Sequence, residues 1–184
     1  MRSECDKMLA GEWYHAGDPE LQTRRARAQR LLRDLNATPN EDLCRRAELM
    51  RELFGGFGAE TQIRSPFYCD YGKQITIGAH GFLNYNCVIL DVVKVTIGEY
   101  AQIGPAVQIY TAYHPVEPAL RKSGAEAGKP VVIGNNVWLG GGAIICPGVT
   151  IGDDAVIGAG SLVTRDIPAG VVAVGNPCRV IRSR

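Results

Sequence analysis

His114 stands between Tyr113 and Pro115, at the mouth of a polar stretch that runs from Thr111 to Pro130. Imidazole is the side chain best suited to take and return a proton near neutral pH. A lone histidine in a loop is ordinarily only polar surface, so its neighbours decide its weight. Glu126 lies later in the same stretch and can orient the ring, and Asn84 and Asp91 lie on the segment just before it. The remaining two of the three histidines, His15 and His80, have no polar partners nearby in sequence and read as exposed or structural. The chemistry on offer is general-base activation of a weak nucleophile.

These residues need a scaffold, and the spacing names one. Aliphatic residues recur at every sixth position in Ile133-Gly134, Leu139-Gly140, Ile145-Cys146, Ile151-Gly152, Ile157-Gly158 and Val163-Thr164. Small or aliphatic residues follow four positions later at Val137, Ala143, Val149, Ala155 and Ser161. A helix repeats near 3.6 and a half-buried strand alternates. A period of six fits a chain coiled into a triangular prism, each hexapeptide forming one side and burying its aliphatic residue by stacking on its neighbours. The glycines suit tight corners, where positive φ is cheap only without a Cβ. The repeat begins near Tyr71-Gly72, slips by two residues at Asp91–Lys94, and stops from Thr111 to Pro130. A long interruption in so regular a pattern is more often functional than accidental. After Val163 the chain is expected to leave the prism through Pro168-Ala169-Gly170 into a basic tail, extended or a last strand.

Residues 1–56 have another texture, rich in Arg, Leu, Glu and Ala. Asp18-Pro19-Glu20 reads as a helix start, followed by Leu21, Arg24, Ala28, Leu31, Leu32 and Leu35 at helical spacing. Thr38-Pro39-Asn40-Glu41 reads as a capping box opening a helix through Leu43, Ala47, Met50 and Phe54, which Gly55-Gly56 ends. Two or three short helices here cap the solenoid, wall a site, or both. Residues 57–184 form the second segment, with the protruding loop at 111–130 and the tail at 165–184.

The net charge of +1, from 20 basic and 19 acidic residues, points to no nucleic-acid or anionic-membrane partner. The N-terminus lacks an apolar core of the kind that targets secretion, and no apolar run approaches a membrane span. A cytoplasmic protein with reduced thiols is expected, with Cys87 and Cys146 among the six cysteines read as small buried residues.

The segments FYCDYGKQITIG, YTAYHPVEPALR, IGNNVWLGGGAIICPGVTIGDDAVIGAGSLVTRDIP and GNPCRVI, with KMLAGEWY near the start, resemble the hexapeptide acyltransferases. Within that family they are most similar to the maltose and galactoside O-acetyltransferases, along essentially the whole chain. The resemblance implies a mainly β fold, a left-handed parallel β-helix with an N-terminal helical segment and a protruding loop. It implies a homotrimer with active sites between subunits, acetyl-CoA as donor and a sugar hydroxyl as acceptor, transferred directly in a ternary complex to C6 of a sugar such as maltose or glucose. His114 is then the general base. Asn84 and Glu126 join it in the catalytic set; Asn84, Asp91, Asp70 and Phe82 bind the acceptor, and Asp18 reaches the same pocket from the helical segment. Trp138 lines the site near the thioester, and Gly104, Gly141, Ala159, Thr164, Arg179 and Arg182 contact coenzyme A. No metal is expected.

The chemistry is consistent with those roles. A thioester attacked by a hydroxyl passes through an oxyanion, for which the Gly141 N–H is a candidate donor. Gly140-Gly141-Gly142 and Ala159-Gly160 would let a thin pantetheine arm lie flat, although small residues also simply suit corners. Arg179 and Arg182 could meet phosphates, although arginines near a terminus are commonly just solvated. Trp138 could equally be an interface or core residue. Asn86 stands where the maltose branch has Asp, Glu126 where the galactoside branch has Met, and Leu83 where both have Ala. These departures leave open another acceptor: a galactoside, an amino sugar or an antibiotic. A zinc hydratase on the same scaffold needs three histidines on adjacent coils, and only His80 and His114 fall in the repeats. A non-catalytic β-helix scaffold is the reading from a different class.

Overall fold

A computed structural model describes residues 2–183; Met1 and Arg184, the extreme ends of the two expected segments, lie outside the described residues. The hexapeptides wind into a three-sided parallel β-solenoid. Its first face stacks β2 (Gly56–Phe57), β5 (Ile75–Ile77), β8 (Val95–Ile97), β13 (Val131–Ile133) and β16 (Thr150–Ile151). The second stacks β3 (Gln62–Ile63), β6 (Phe82–Leu83), β9 (Gln102–Ile103), β14 (Trp138–Leu139), β17 (Val156–Ile157), β19 (Val171–Val174) and β20 (Arg179–Ser183). The third stacks β4 (Phe67–Cys69), β7 (Cys87–Leu90), β10 (Gln108–Tyr110), β15 (Ile144–Ile145) and β18 (Leu162–Val163).

The sixth-position aliphatics form one ladder behind each face. Ile77, Ile97, Ile133 and Ile151 pair in register, as do Leu83, Ile103, Leu139 and Ile157, and Ile89, Ile109, Ile145 and Val163. All are buried. Each such side chain is worth about 1.5–3 kcal/mol when fully withdrawn from water, and the ladders make that gain cumulative along the axis.

The prism is longer at both ends than the repeat suggests. It starts at Gly56–Phe57 rather than near Tyr71, because the first coil fills its interior with Ile63 and Phe67 and so lacks the aliphatic-glycine signature. It also continues past Val163: Ile167 bridges Ile151, and β19 pairs in parallel with β17. The basic tail then turns back as β20, antiparallel to β19, so of the two forms expected of it, extended chain or a last strand, it takes the strand.

The glycines earn their place differently from the expectation. Those directly after the aliphatic residue do not carry the positive φ. A Cβ on Gly134 would sit 2.7 Å from the Asp153 N, and one on Gly104 2.5 Å from the Gly141 N, so close stacking of coils excludes a side chain. The left-handed position comes two residues later, at His80 (φ 59), Asn86 (φ 62), Ala106 (φ 56) and Asn136 (φ 52) as well as at Gly142 and Gly160.

The N-terminal part supplies α1 (Glu4–Leu9), β1 (Tyr14–His15), α2 (Pro19–Ala37) and α3 (Leu43–Leu53). Asp18 caps α2 with proline in the first turn, as expected, and Leu21, Ala28, Leu31, Leu32 and Leu35 are its buried stripe. Arg24 is exposed and ion-paired to Glu20. The expected capping box at Thr38 is not formed. Thr38 ends α2 with its hydroxyl on the Asp34 carbonyl, and Asp42 caps α3 through the Arg45 N–H. The buried stripe of α3 is correspondingly offset to Arg46, Leu49, Met50 and Leu53, leaving Leu43 exposed. Buried Arg46 donates to the carbonyls of Leu35, Thr38 and Ile63 and so fastens both helices to the first coil.

The interruption at 111–130 is itself folded. β11 (Ala112–Tyr113) and β12 (Ala125–Gly128) form a hairpin around α4 (Pro118–Lys122), and β1 adds to β12 from the N-terminal part. The result is a three-stranded antiparallel sheet in the order β1-β12-β11.

Candidate active site

Each corner of the prism recurs at the same edge on successive coils, so topology sorts the expected site residues. Where the third face turns into the first lie Asp70, Asp91, the loop with His114 and Glu126, and Thr164; this is the loop edge. Where the second face turns into the third lie Asn84, Gly104, Gly141 and Ala159; this is the glycine edge.

On the loop edge, the His114 Nδ1 lies 3.2 Å from the Ala125 carbonyl oxygen. A carbonyl only accepts, so Nδ1 carries a hydrogen, and in the neutral ring the lone pair falls on Nε2. Nε2 lies 3.6 Å from Glu126 Oε2, and the ring is exposed whereas the carboxylate is largely buried. The other carboxylate oxygen, Oε1, accepts the hydrogen bond of the Tyr14 hydroxyl. Burial, followed by the contact with Glu126, pushes the Tyr14 phenol far above its ordinary range, so it remains a donor.

Asp70 lies within electrostatic reach of Glu126. Burial raises its carboxyl, an effect opposed by Arg25 and reinforced by Glu126. The Arg25 Nε is 3.8 Å from Asp70 Oδ1, and its Nη2 donates to the Tyr71 hydroxyl at 3.0 Å. A polar cluster of Arg25, Asp70, Tyr71, Tyr14, Glu126 and His114 thus gathers where the N-terminal part meets the loop. Sequence reasoning missed Tyr14, Arg25 and Tyr71, since nothing in their spacing announces a two-residue strand docking on a distant loop.

Asp91 needs correction. It is fully buried: Oδ1 accepts from the N–H groups of Asp70 and Tyr71, and Oδ2 from that of Gln74. Its carboxylate pins the preceding turn of the loop edge and is not presented to an acceptor. Asp18 is likewise occupied, accepting from the Glu20 N–H at 2.9 Å, and among the described residues it makes no hydrogen bond or ion pair with His114 or Glu126.

On the other side of the third face, Phe82, Asn84, Gly104 and Trp138 come together around a small cavity of about 150 Å³, with Gln102 and Ile103. Trp138 is 57% exposed, which is unusual for a large aromatic and leaves its ring free to meet a partner. Gly104, Gly141 and Ala159 stack directly: Gly142 N–H donates to Pro105 O and Gly160 N–H to Gly141 O. Gly140 N–H is likewise used, by Ile157 O, whereas the Gly141 N–H donates no backbone bond among the described residues. Arg179 and Arg182 are exposed on β20, at the end of the second face; Thr164 is exposed but lies on the loop edge, apart from the glycine row.

A larger cavity, about 360 Å³, lies between α3 and the first coil, and none of the expected site residues lines it. Cys87 is buried as expected, Cys146 only partly so, and all six thiols are free. His80 stacks on Tyr100 and pairs with Glu60, while His15 is exposed in β1. No three His, Cys, Asp or Glu side chains are grouped to hold a metal ion among the described residues, and none of their helices is long and apolar enough to cross a membrane.

Comparison with known proteins accounts for this layout. Residues 7–58 match the maltose acetyltransferase hexapeptide capping motif, and residues 130–165 match the bacterial transferase hexapeptide (six repeats). The chain is 55% identical over 179 residues to nodulation protein L of Rhizobium meliloti (strain 1021), spanning 97% of this chain and 98% of that protein. It superposes on a maltose O-acetyltransferase from Clostridium difficile 630 with a TM-score of 0.97 and 50% identity, covering 99% of this chain and 97% of the other. A galactoside acetyltransferase in complex with coenzyme A gives a TM-score of 0.95 and 40% identity, covering 100% and 92%. With its maltose acetyltransferase-type cap and its column of six-residue repeats, the chain belongs to the hexapeptide-repeat acetyltransferases.

Proposed function

We propose that the protein transfers the acetyl group of acetyl-CoA to a sugar hydroxyl, in an active site shared between two chains of a homotrimer. The observation that carries this reading is the placement of the two halves of the chemistry on different edges of one prism. His114 and Glu126 project from the loop edge, whereas Trp138 and the Gly104–Gly141–Ala159 row line the glycine edge. A face of up to four residues separates them, roughly 13 Å of extended chain. A general base must come within about 3 Å of the proton it takes. The halves therefore meet when the loop edge of one copy faces the glycine edge of the next, as closed cyclic symmetry allows. Coenzyme A bound to the galactoside acetyltransferase, and the sugars for which that protein and the maltose O-acetyltransferase are named, support the donor and the acceptor class.

In this reading the His114 Nε2 accepts the hydroxyl proton as the acceptor oxygen attacks the thioester carbonyl. Glu126, whose Oε2 lies 3.6 Å from that same nitrogen, is the counter-ion of the imidazolium that forms. The Gly141 N–H, which donates no backbone bond among the described residues, is available to the oxyanion. Collapse breaks the carbon–sulfur bond, and the imidazolium returns its proton to the departing thiolate. No acyl-enzyme is needed, so transfer is direct in a ternary complex. The stacked small residues leave the room a pantetheine arm requires, and Arg179 and Arg182 extend along the second face toward its phosphates. Asp70, Phe82 and Asn84 hold the acceptor, and transfer to the primary C6 hydroxyl of maltose or glucose is the preferred regiochemistry. A cytoplasmic location follows from the need for acetyl-CoA.

The test is release of coenzyme A thiol from acetyl-CoA by the purified protein across maltose, glucose, galactosides and amino sugars. Sugar-dependent release with an O-acetyl product meets the proposal. Fastest turnover on an amine would move the acceptor to the amino-sugar alternative, and no release with any acceptor would leave a scaffold.

A further inference from the structure

The helical cap reaches the loop at three places that capping a prism does not require. Tyr14 and Glu126 are register partners between β1 and β12, as are His15 and Ala125. The Trp13 ring packs edge-on against Tyr113, next to His114, with centroids 5.4 Å apart. Gly11 passes so close to the loop that a Cβ there would lie 2.7 Å from the Gly128 carbonyl oxygen. Both groups that hold the imidazole, the Ala125 carbonyl and the Glu126 carboxylate, therefore sit on the one strand to which the cap is paired.

We propose that Tyr14 is a positioning residue for the His114–Glu126 pair, which makes Gly11–His15 of the cap a clamp on the reacting loop. The proposal rests on His114 as the base. The Tyr14 ring is 1% exposed and packs in a small apolar cluster with Met8, Leu21, Tyr71 and Val92, apart from the main core. That cluster fixes the ring, and the ring fixes where its hydroxyl points. Because Oε1 of Glu126 is taken by this hydroxyl, Oε2 is the oxygen turned to His114. Phenylalanine would fill the same apolar space and leave the carboxylate free to rotate. A shift of about 1 Å at a reacting group costs on the order of a hundredfold in rate, so a carboxylate held only by packing should lose a measurable part of that.

The test is Tyr14→Phe, alone and in a Glu126→Gln background. It is assayed with acetyl-CoA and the sugar that releases thiol fastest in the panel above. Nitrogen-15 spectra of the His114 imidazole are recorded on the same proteins. The expected result is a kcat about tenfold lower for Tyr14→Phe, an unchanged KM for acetyl-CoA and displaced His114 ring resonances. In the Glu126→Gln background the further loss should be under about twofold, because the partner through which Tyr14 acts is already altered. Wild-type kcat and wild-type ring resonances in Tyr14→Phe would overturn the proposal. So would an equal loss in both backgrounds. The spectra need no turnover, so they still decide the positioning claim if His114→Ala stays active and the base assignment fails. Should Tyr14→Phe not fold, Trp13→Ala, which frees the same cap segment from Tyr113 without touching the imidazole, decides: displaced ring resonances support the clamp, and unchanged ones oppose it.

Discussion

The prism and the loop sheet are both β-structure, yet they are built on opposite principles. The prism is redundant: each coil repeats the last, its ladders are aliphatic, and every strand pairs with one a few tens of residues away. The loop sheet is assembled once, from Tyr14–His15, Ala112–Tyr113 and Ala125–Gly128, and what it orders is polar. On the proposed reading, stability comes from the prism's interior and the base from the loop sheet, while the prism's outer edge supplies the donor-binding row. A change inside the prism should cost folding and spare the chemistry of whatever remains folded. A change in the loop sheet should do the reverse.

Replacing His114 with alanine is the harshest attack on the loop side. It should lower kcat for acetyl transfer by about a hundredfold or more, the usual worth of a general base, with a melting temperature within about 2 °C of wild type. The exposed ring makes few packing contacts to lose. On the prism side, Ile151→Ala removes a fully buried rung between Ile133 and Ile167. It should cost about 2–5 kcal/mol in urea unfolding, while kcat per folded molecule stays within about twofold. If Ile151→Ala instead cut kcat as severely as stability, the division would be wrong.

The sharpest sequence signal belonged to the redundant half. Six-residue spacing from Val131 to Val163 reports the prism because each rung must be aliphatic for its neighbours' sake. The same logic fails at the first coil, where Phe57, Ile63 and Phe67 fill the interior in another way. The loop sheet has no period to read. His114 and Glu126 were legible as a candidate pair because they share one interruption, whereas Tyr14 lies 112 residues from Glu126 and joins it only through tertiary pairing. Asp91 was misread for a related reason. A carboxylate in a turn looks alike in sequence whether it faces a ligand or folds back on backbone N–H groups.

Asp91 offers the smallest test, at the seam between the two regions. Burial pushes its carboxyl up to about 7 from an ordinary 3.8, against the pull of the Tyr71 and Gln74 N–H groups. The folded chain then holds a proton that the unfolded chain releases. Stability from this group is therefore gained as pH falls from about 7 toward 4, by up to about 1.4 kcal/mol per pH unit, and lost as pH rises through 7. Urea midpoints at pH 5 and pH 8 should show this trend in wild type and a flatter one in Asp91→Asn, with half-buried Asp70 supplying the residual slope. An unaltered slope in the variant would remove Asp91 as its source.

The claim that matters most is that one chain supplies the base and another the donor-binding row, and mixing two inactive variants tests it directly. His114→Ala lacks the base, and Ala159→Trp fills the exposed glycine edge without entering the core. Each alone should be nearly inactive. Trimers co-assembled from equal amounts of both should regain about a quarter of wild-type acetyl transfer, since one interface in four then joins an intact loop to an intact row. Mixed trimers as inactive as either parent would contradict the shared site.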